Sequence, residues 1–220
     1  IGALLSVMLI TSAQAGSFGL GGAMTLAGVS AEGTETEYET GTETENSVMD
    51  ATAGNTVVFA SIYGEYAFGD GEHFVLGVEH IPYDADINNK SLSRTDASLA
   101  PYVAQDTGTL TANAAISDHT TYYVEIGAGA TGLYGKVGMT QVDIDVTQSN
   151  SSGYGTYPDK TLDAMTYAIG YRAGFGEKGV IKIEGFMTDY DAYSATSTTS
   201  QTLKANLDVV GAKLMLGFKF

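Results

Sequence analysis

The chain of 220 residues carries 26 acidic against 10 basic residues, a formal net charge of −16, and has no cysteine. This balance argues against nucleic-acid binding, which depends on Lys and Arg neutralising phosphates. The lack of cysteine excludes disulfides, thiol catalysis and cysteine metal sites. The 28 glycines, 14 tyrosines and three prolines favour many short strands over helices.

The first fifteen residues have the pattern of a targeting segment. An apolar run from Ala3 to Ile10 is followed by small residues that end in Ala13-Gln14-Ala15. This order matches the apolar region and cleavage site of a secretory signal, and the run is too short to cross a bilayer as a helix. We predict a signal-peptide remnant over 1–15 and a single folded domain over 16–220. An apolar first strand is the alternative.

Eight segments then alternate apolar and polar side chains with a period of two, as in a strand with two different faces. They are predicted over 17–29, 55–68, from 74 to near Pro82, 119–130, from 133 onward, 162–175, 181–187 and 205–220. In the fifth segment the apolar side chains change rows after Gln141, where Val142 and Ile144 join the opposite row. A bulge, or a strand that projects beyond a bilayer, would explain this change.

The connections between these segments alternate between short and long. Tight turns are predicted near 70, 132 and 177, and polar loops over 31–50, 84–118, 148–160 and 193–203. The first of these loops holds six Glu and one Asp without a base, so we expect it to be exposed and flexible. Short turns on one side and long loops on the other are typical of outer-membrane barrels. We therefore predict an all-β fold, an eight-stranded antiparallel up-and-down transmembrane β-barrel over 16–220.

Five bases and four glutamates inside the predicted strands lie on the row opposite the apolar one. Without Lys219, near one mouth, they are Glu65, Glu79, Glu125, Glu184, Lys136, Arg172, Lys182 and Lys213. An eight-stranded barrel is just wide enough to be filled by side chains, and an unpaired ion there is costly. We predict that these residues pair and plug the lumen. The solvent face of a soluble sheet, a narrow pore lining and a gate of exchanging ion pairs are alternatives that the sequence leaves open.

These features together resemble the small outer-membrane barrel superfamily, which includes the OmpA barrel domain, OmpX-like proteins and opacity-type surface proteins. The resemblance covers nearly all of 16–220 and is architectural, without a diagnostic motif. It implies a monomer in the bacterial outer membrane, surrounded by outer-membrane lipid and lipopolysaccharide. It also implies that the terminal Phe218 and Phe220 form the signal for the barrel-assembly machinery.

Signs of catalysis and metal binding are weak. Asp118-His119 lies where outer-membrane proteases place acid/His pairs, but one adjacent pair is a weak signal, and no His-x-Ser spacing typical of a barrel lipid A deacylase occurs. The acidic tract Glu32 to Glu45 lacks the Asp/Gly spacing of a calcium loop. We predict no enzyme activity, no cofactor and no metal site.

The predicted function is a structural or surface-interaction role, with a possible extracellular ligand bound by the long loops. A narrow porin-like channel for small solutes or ions is the first alternative. A soluble lipocalin-like binding barrel is the second. The sequence does not identify the ligand.

Overall fold

The computed structural model describes residues 16–38, 45–69, 72–88, 91–96, 106–150, 156–198 and 202–220. The predicted signal-peptide remnant, 1–15, lies outside these residues. Among the described residues, no helix is long and apolar enough to cross a membrane.

The described chain is almost entirely strand. Its strands are β1 (Gly16–Tyr38), β2 (Glu45–Phe68), β3 (Phe74–His80), β4 (Ala85–Asn88), β5 (Ser91–Asp96), β6 (Asp106–Gly127), β7 (Leu133–Asn150), β8 (Lys160–Phe175), β9 (Gly179–Tyr190), β10 (Tyr193–Thr196) and β11 (Thr202–Lys219), with one 3₁₀ turn at Gly129–Thr131. Strands β4 and β5 pair with β6, and β10 pairs with β11. The other eight strands form the barrel wall.

The wall closes in the order β1-β2-β3-β6-β7-β8-β9-β11, and β11 returns to pair with β1. Every one of these ladders is antiparallel, and the closing ladder runs from Gly19↔Lys219 to Thr36↔Thr202. The predicted eight-stranded antiparallel fold is therefore confirmed, including β1, the strand least clearly marked in the sequence. Small residues in β1 suit the interior, because a Cβ on Gly21 would overlap the ring of Tyr63.

The predicted loops are wrong in large part, because the strands run far beyond the predicted ends. β1 continues to Tyr38 and β2 starts at Glu45, inside the predicted loop 31–50. β4, β5 and the start of β6 lie within 84–118. β7 continues to Asn150 and β10 lies within 193–203. Backbone ladders on both sides of β1 hold residues 32–36 extended, and Thr residues suit strands.

The wall has two halves with opposite side-chain patterns. In the half with the tight turns, large apolar side chains face outward and form what we call the apolar belt: Phe18, Leu20, Met24, Leu26, Val58, Ile62, Phe74, Leu76, Tyr122, Ile126, Leu133, Val137, Met139, Met165, Tyr167, Ile169, Tyr171, Phe175, Ile183, Met187, Val210, Leu214, Leu216, Phe218 and Phe220. On β8 the belt runs from Met165 to Phe175, which matches the ~9–11 residues of a membrane-crossing strand.

The other half, which we call the outer half, reverses this pattern. Its inward side chains form an apolar core: Ala27, Val142, Ile144, Leu162, Ala164, Phe186, Tyr190, Tyr193, Ala195, Leu207 and Val209. Gln141, Asp163, Asp189 and Asp208 are exposed just beyond the belt. The change of rows after Gln141 is therefore the passage of β7 beyond the belt. The β7–β8 ladder keeps its register there.

Candidate functional site in the barrel lumen

A chain of ion pairs runs from one mouth of the barrel to its centre. The Lys182 ammonium Nζ lies 2.6 Å from Glu65 Oε2 and 2.9 Å from Glu125 Oε1. Arg172 Nη1 lies 3.6 Å from Glu125 Oε2 and 3.9 Å from Glu72 Oε2. Each acid in this chain thus contacts at least one base, and Lys182 and Arg172 each join two acids.

Two further ion pairs stand beside this chain. Lys136 Nζ lies 2.5 Å from Glu184 Oε1, and the Tyr134 hydroxyl donates to Glu184 Oε2 at 3.1 Å. Lys213 Nζ donates to both oxygens of Glu79 at 2.6 and 2.7 Å. Hydrogen bonds of this number and length are what a buried ion pair needs to offset its desolvation.

The structure brings all eight predicted lumen residues into this network. Seven of them are buried, with Glu125 0% and Lys182 1% exposed, and Arg172 is partly buried. Glu72 also belongs to the network, although the sequence predicts a tight turn there and not a lumen residue. Its side chain reaches Lys219, with both carboxylate oxygens 2.5 Å from Nζ. The signal that could have found it was Lys219 itself, a base on the inward row near the same mouth.

With Glu72 and Lys219 added to the eight predicted residues, the network contains five acids and five bases, and its formal net charge is zero. The formal net charge of −16 therefore lies entirely outside it.

Tyrosine rings fill the remaining space beside the ions. A Cβ on Gly77 would overlap the Tyr123 ring, and one on Gly170 would overlap the Tyr134 ring. Each ring therefore occupies space that a glycine on a neighbouring strand leaves free. The Lys136 ammonium lies 4.9 Å from the centre of the Tyr123 ring, a distance at which the ring attracts a cation.

A row of threonines lines the interior of strands β6 to β9 where the ion pairs meet the outer half. Hydroxyl oxygens of Thr121 and Thr140 are 2.8 Å apart, those of Thr140 and Thr166 are 2.9 Å apart, and those of Thr166 and Thr188 are 2.9 Å apart. Because each hydroxyl can both donate and accept, the row satisfies buried polar groups of four neighbouring strands.

Asp118 and His119 do not form the acid/His arrangement that the sequence raised. Asp118 is exposed and has a φ of 48° at an irregularity of β6. His119 lies instead against the interior, with Nε2 3.0 Å from the Tyr190 hydroxyl oxygen. Burial lowers the pKa of His119 to about 4, so its imidazole is neutral at pH 7.

Two further sequence predictions concern metal binding and barrel assembly. Within the described ranges, no group of three or more His, Asp and Glu side chains is placed to hold a metal ion. Phe218 and Phe220 are exposed on the apolar belt. The two residues are thus accessible from outside the barrel, and their assembly role stays a prediction.

The described strands form a closed, eight-stranded, all-antiparallel barrel. No protein-family model matches the chain, and no curated protein is significantly similar to it. Among solved structures, it is similar to Ail, the attachment invasion locus protein of Yersinia pestis, bound to the heparin analogue sucrose octasulfate. The two are 12% identical, with 90% of this chain and 99% of Ail covered and a TM-score of 0.35.

A second similar structure is the outer membrane protease OmpT from Escherichia coli. It is 10% identical, with 93% of this chain and 97% of OmpT covered and a TM-score of 0.37. At these scores the likenesses carry no argument about what this chain does.

Proposed function

We propose that the chain is a bacterial outer-membrane barrel with an ion-paired, plugged lumen and a structural or surface-interaction role. The observation that carries this proposal is the apolar belt, which surrounds a lumen filled with charge. Lipid stabilises such an arrangement, because it covers the outward apolar side chains, and the backbone N–H and C=O groups of a closed barrel are hydrogen-bonded between its strands.

The outer half supports the same assignment from the opposite direction. There the polar side chains face outward and the apolar ones inward, which is the pattern of a barrel in water. On β8 the change occurs between Asp163 and Met165, both exposed. A soluble binding barrel would have polar side chains outward and apolar ones inward along its whole length, so the apolar belt disfavours that alternative.

Burial at the centre of the lumen supports a plug rather than a channel. Met215 and Glu125 are 0% exposed, and Lys182 and Glu184 are as deeply buried. These side chains come from three strands, β6, β9 and β11, and point into the interior. None of these four side chains is more than 1% exposed, so an open path for solutes beside them would need the ion pairs to separate.

The surface role follows from the charge outside the lumen network. Taking five acids and five bases from the 26 and 10 of the chain leaves 21 acids and five bases. A surface of this sign favours cationic or uncharged partners, and its attraction for cations weakens as salt screens it. Outer-membrane lipid around the belt and the barrel-assembly machinery, through Phe218 and Phe220, complete the proposed partners of a monomer.

Electron paramagnetic resonance tests the membrane assignment, because a chain without cysteine accepts one nitroxide label at a chosen position. Ile169→Cys places the label on the belt, and Asp163→Cys places it on the same strand in the outer half. In lipid vesicles we expect the label at 169 to be relaxed by oxygen and protected from a water-soluble nickel chelate. The label at 163 should show the reverse. Equal chelate access at both positions would contradict the membrane assignment.

A further inference from the structure

The barrel wall is interrupted on one side, where the apolar belt meets the outer half. The β2–β3 ladder ends at Ile62↔His80, and Pro82 follows, which has no N–H to donate. β4 then pairs with β6, and in the part of the chain that the structure describes no ladder joins β4 to β2. Among the described residues, therefore, no strand pairs with the edge of β2 beyond Ile62 on this side.

The side chain of Tyr83 occupies this interruption. Its hydroxyl accepts the backbone N–H of Ala60 and donates to the backbone C=O of Ala60 at 2.9 Å. This hydroxyl thus forms hydrogen bonds with the N–H and the C=O of Ala60, which a neighbouring strand would otherwise bind. A side chain can rotate away without breaking a strand ladder, so this part of the wall can open at low cost.

A cavity of about 340 Å³ lies behind Tyr83, inside the barrel. Its apolar walls are Val57, Phe59, Ile116, Phe186, Tyr190 and Val209. Glu79 and Lys213 line its charged end, where they are bound to each other. Small-molecule sites are typically apolar cavities of ~300–1,000 Å³ with a few polar groups, and this cavity has that size and composition.

The cavity reaches the outside of the barrel at the edge of the apolar belt. Val58 and Tyr83 both line it, and they are 66% and 44% exposed on the outer surface. Val58 belongs to the belt, so the interruption opens toward whatever covers the belt. A ligand that uses this opening comes from an apolar environment.

We infer that the cavity binds the alkyl chain of a single-chain amphiphile with an uncharged head group, taken from the bilayer past Tyr83. This inference rests on the proposed membrane location. The apolar walls suit a hydrocarbon chain. The two lysines that line the cavity, Lys213 and Lys136, are bound to Glu79 and Glu184 and are not free to hold a charged head. Asp84 lines the cavity beside Tyr83 and repels carboxylates and phosphates. A two-chain phospholipid would bring its phosphate to this carboxylate.

Photolabelling of the full chain in phosphatidylcholine nanodiscs tests the inference, with dodecanol carrying a diazirine in mid-chain as the probe. Mass spectrometry maps the adducts. We expect labelling of the inward residues Val57 and Val209 that falls at least about tenfold with excess unlabelled dodecanol, as for a saturable site. Labelling of the belt residues Leu214 and Leu216 should not saturate, because bulk lipid solvent has no fixed number of sites.

Matched variants locate the probe. Val209→Trp fills the cavity and should remove inward labelling, whereas Val210→Trp, on the adjacent outward position, should leave it unchanged. Tyr83→Phe removes both hydrogen bonds to Ala60 and should speed the appearance of inward adducts by at least about fivefold, because the loss of one typical hydrogen bond alone corresponds to that factor.

The outcomes separate the two proposals. Inward labelling that is absent, or that excess dodecanol does not displace, overturns the cavity inference even if Val209→Trp fails to fold. Dodecanoate carrying the same diazirine is the charged comparison. If it labels the inward residues as strongly as dodecanol does, the inference of an uncharged head group is overturned. Loss of labelling at Leu214 and Leu216 would instead contradict the membrane location itself.

Discussion

At the scale of single residues, Lys182 shows why the lumen is built from shared ions. Its ammonium lies within 3 Å of oxygens of both Glu65 and Glu125, and it is 1% exposed. Removing one partner from a buried network leaves an uncompensated charge, which costs far more than losing an exposed pair. The stability of the lumen therefore depends on complete pairing.

Lys182→Met should destabilise the barrel by about 3–5 kcal/mol, because Glu65 and Glu125 would remain buried without their shared base. Lys178→Met, an exposed lysine in the preceding turn, is the matched control and should change stability by less than about 0.5 kcal/mol. Urea unfolding from lipid vesicles measures both. Equal effects of the two substitutions would show that the ion network does not stabilise the fold.

His119 should titrate near pH 4 in the folded protein. Its pKa is lowered to about 4 by burial, with Glu79 opposing this shift and Lys213 and His80 adding to it. Its unfolded pKa is ~6.5, so between these values the folded state binds fewer protons. Its contribution to stability is therefore present above pH ~6.5 and lost as the pH falls toward 4. Imidazole NMR titration in micelles measures this, and a pKa of 6 or higher would contradict it.

At the scale of the strands, the sequence predicts faces better than ends. Alternation by two identified the outward row of β8 and the inward ions of β6 and β9, because burial on one face fixes register strongly. Repulsion among the acidic side chains of 31–50 predicted a loop there and gave no sign that β1 and β2 extend into it. Two neighbouring ladders hold β1 over these residues, and ladder hydrogen bonds have no signature in side-chain composition.

Substitutions of two glycines inside strands test the packing of the Tyr134 ring. Gly170→Ala would push the Tyr134 ring from its place and loosen the bond from its hydroxyl to Glu184, so we expect a loss of about 1–3 kcal/mol. Gly185 is exposed on the adjacent strand with open space around it, and Gly185→Ala should be nearly neutral. The same unfolding measurement compares the two, and an equal cost would contradict the packing described for Tyr134.

At the scale of the whole molecule, the sequence predicted the balance of lumen charge but not which residues pair. Lys213 and Glu79 lie 134 positions apart in the chain, so their contact depends on strand register and on the tilt of the closed wall. The same holds for Glu72, which a turn brings back to Lys219. The interruption at Tyr83 likewise depends on where two ladders end, and Pro82 was its only local signal.

The central claim is a membrane barrel whose ion pairs close the lumen, and conductance across a planar bilayer tests it most directly. We expect the purified full chain to insert without steady single-channel conductance. Glu125→Gln, at the centre of the network, and Ile183→Ala, on the belt, form the matched comparison for any current that appears. Steady conductance that changes with Glu125→Gln but not with Ile183→Ala would contradict the plug and establish a path through the lumen.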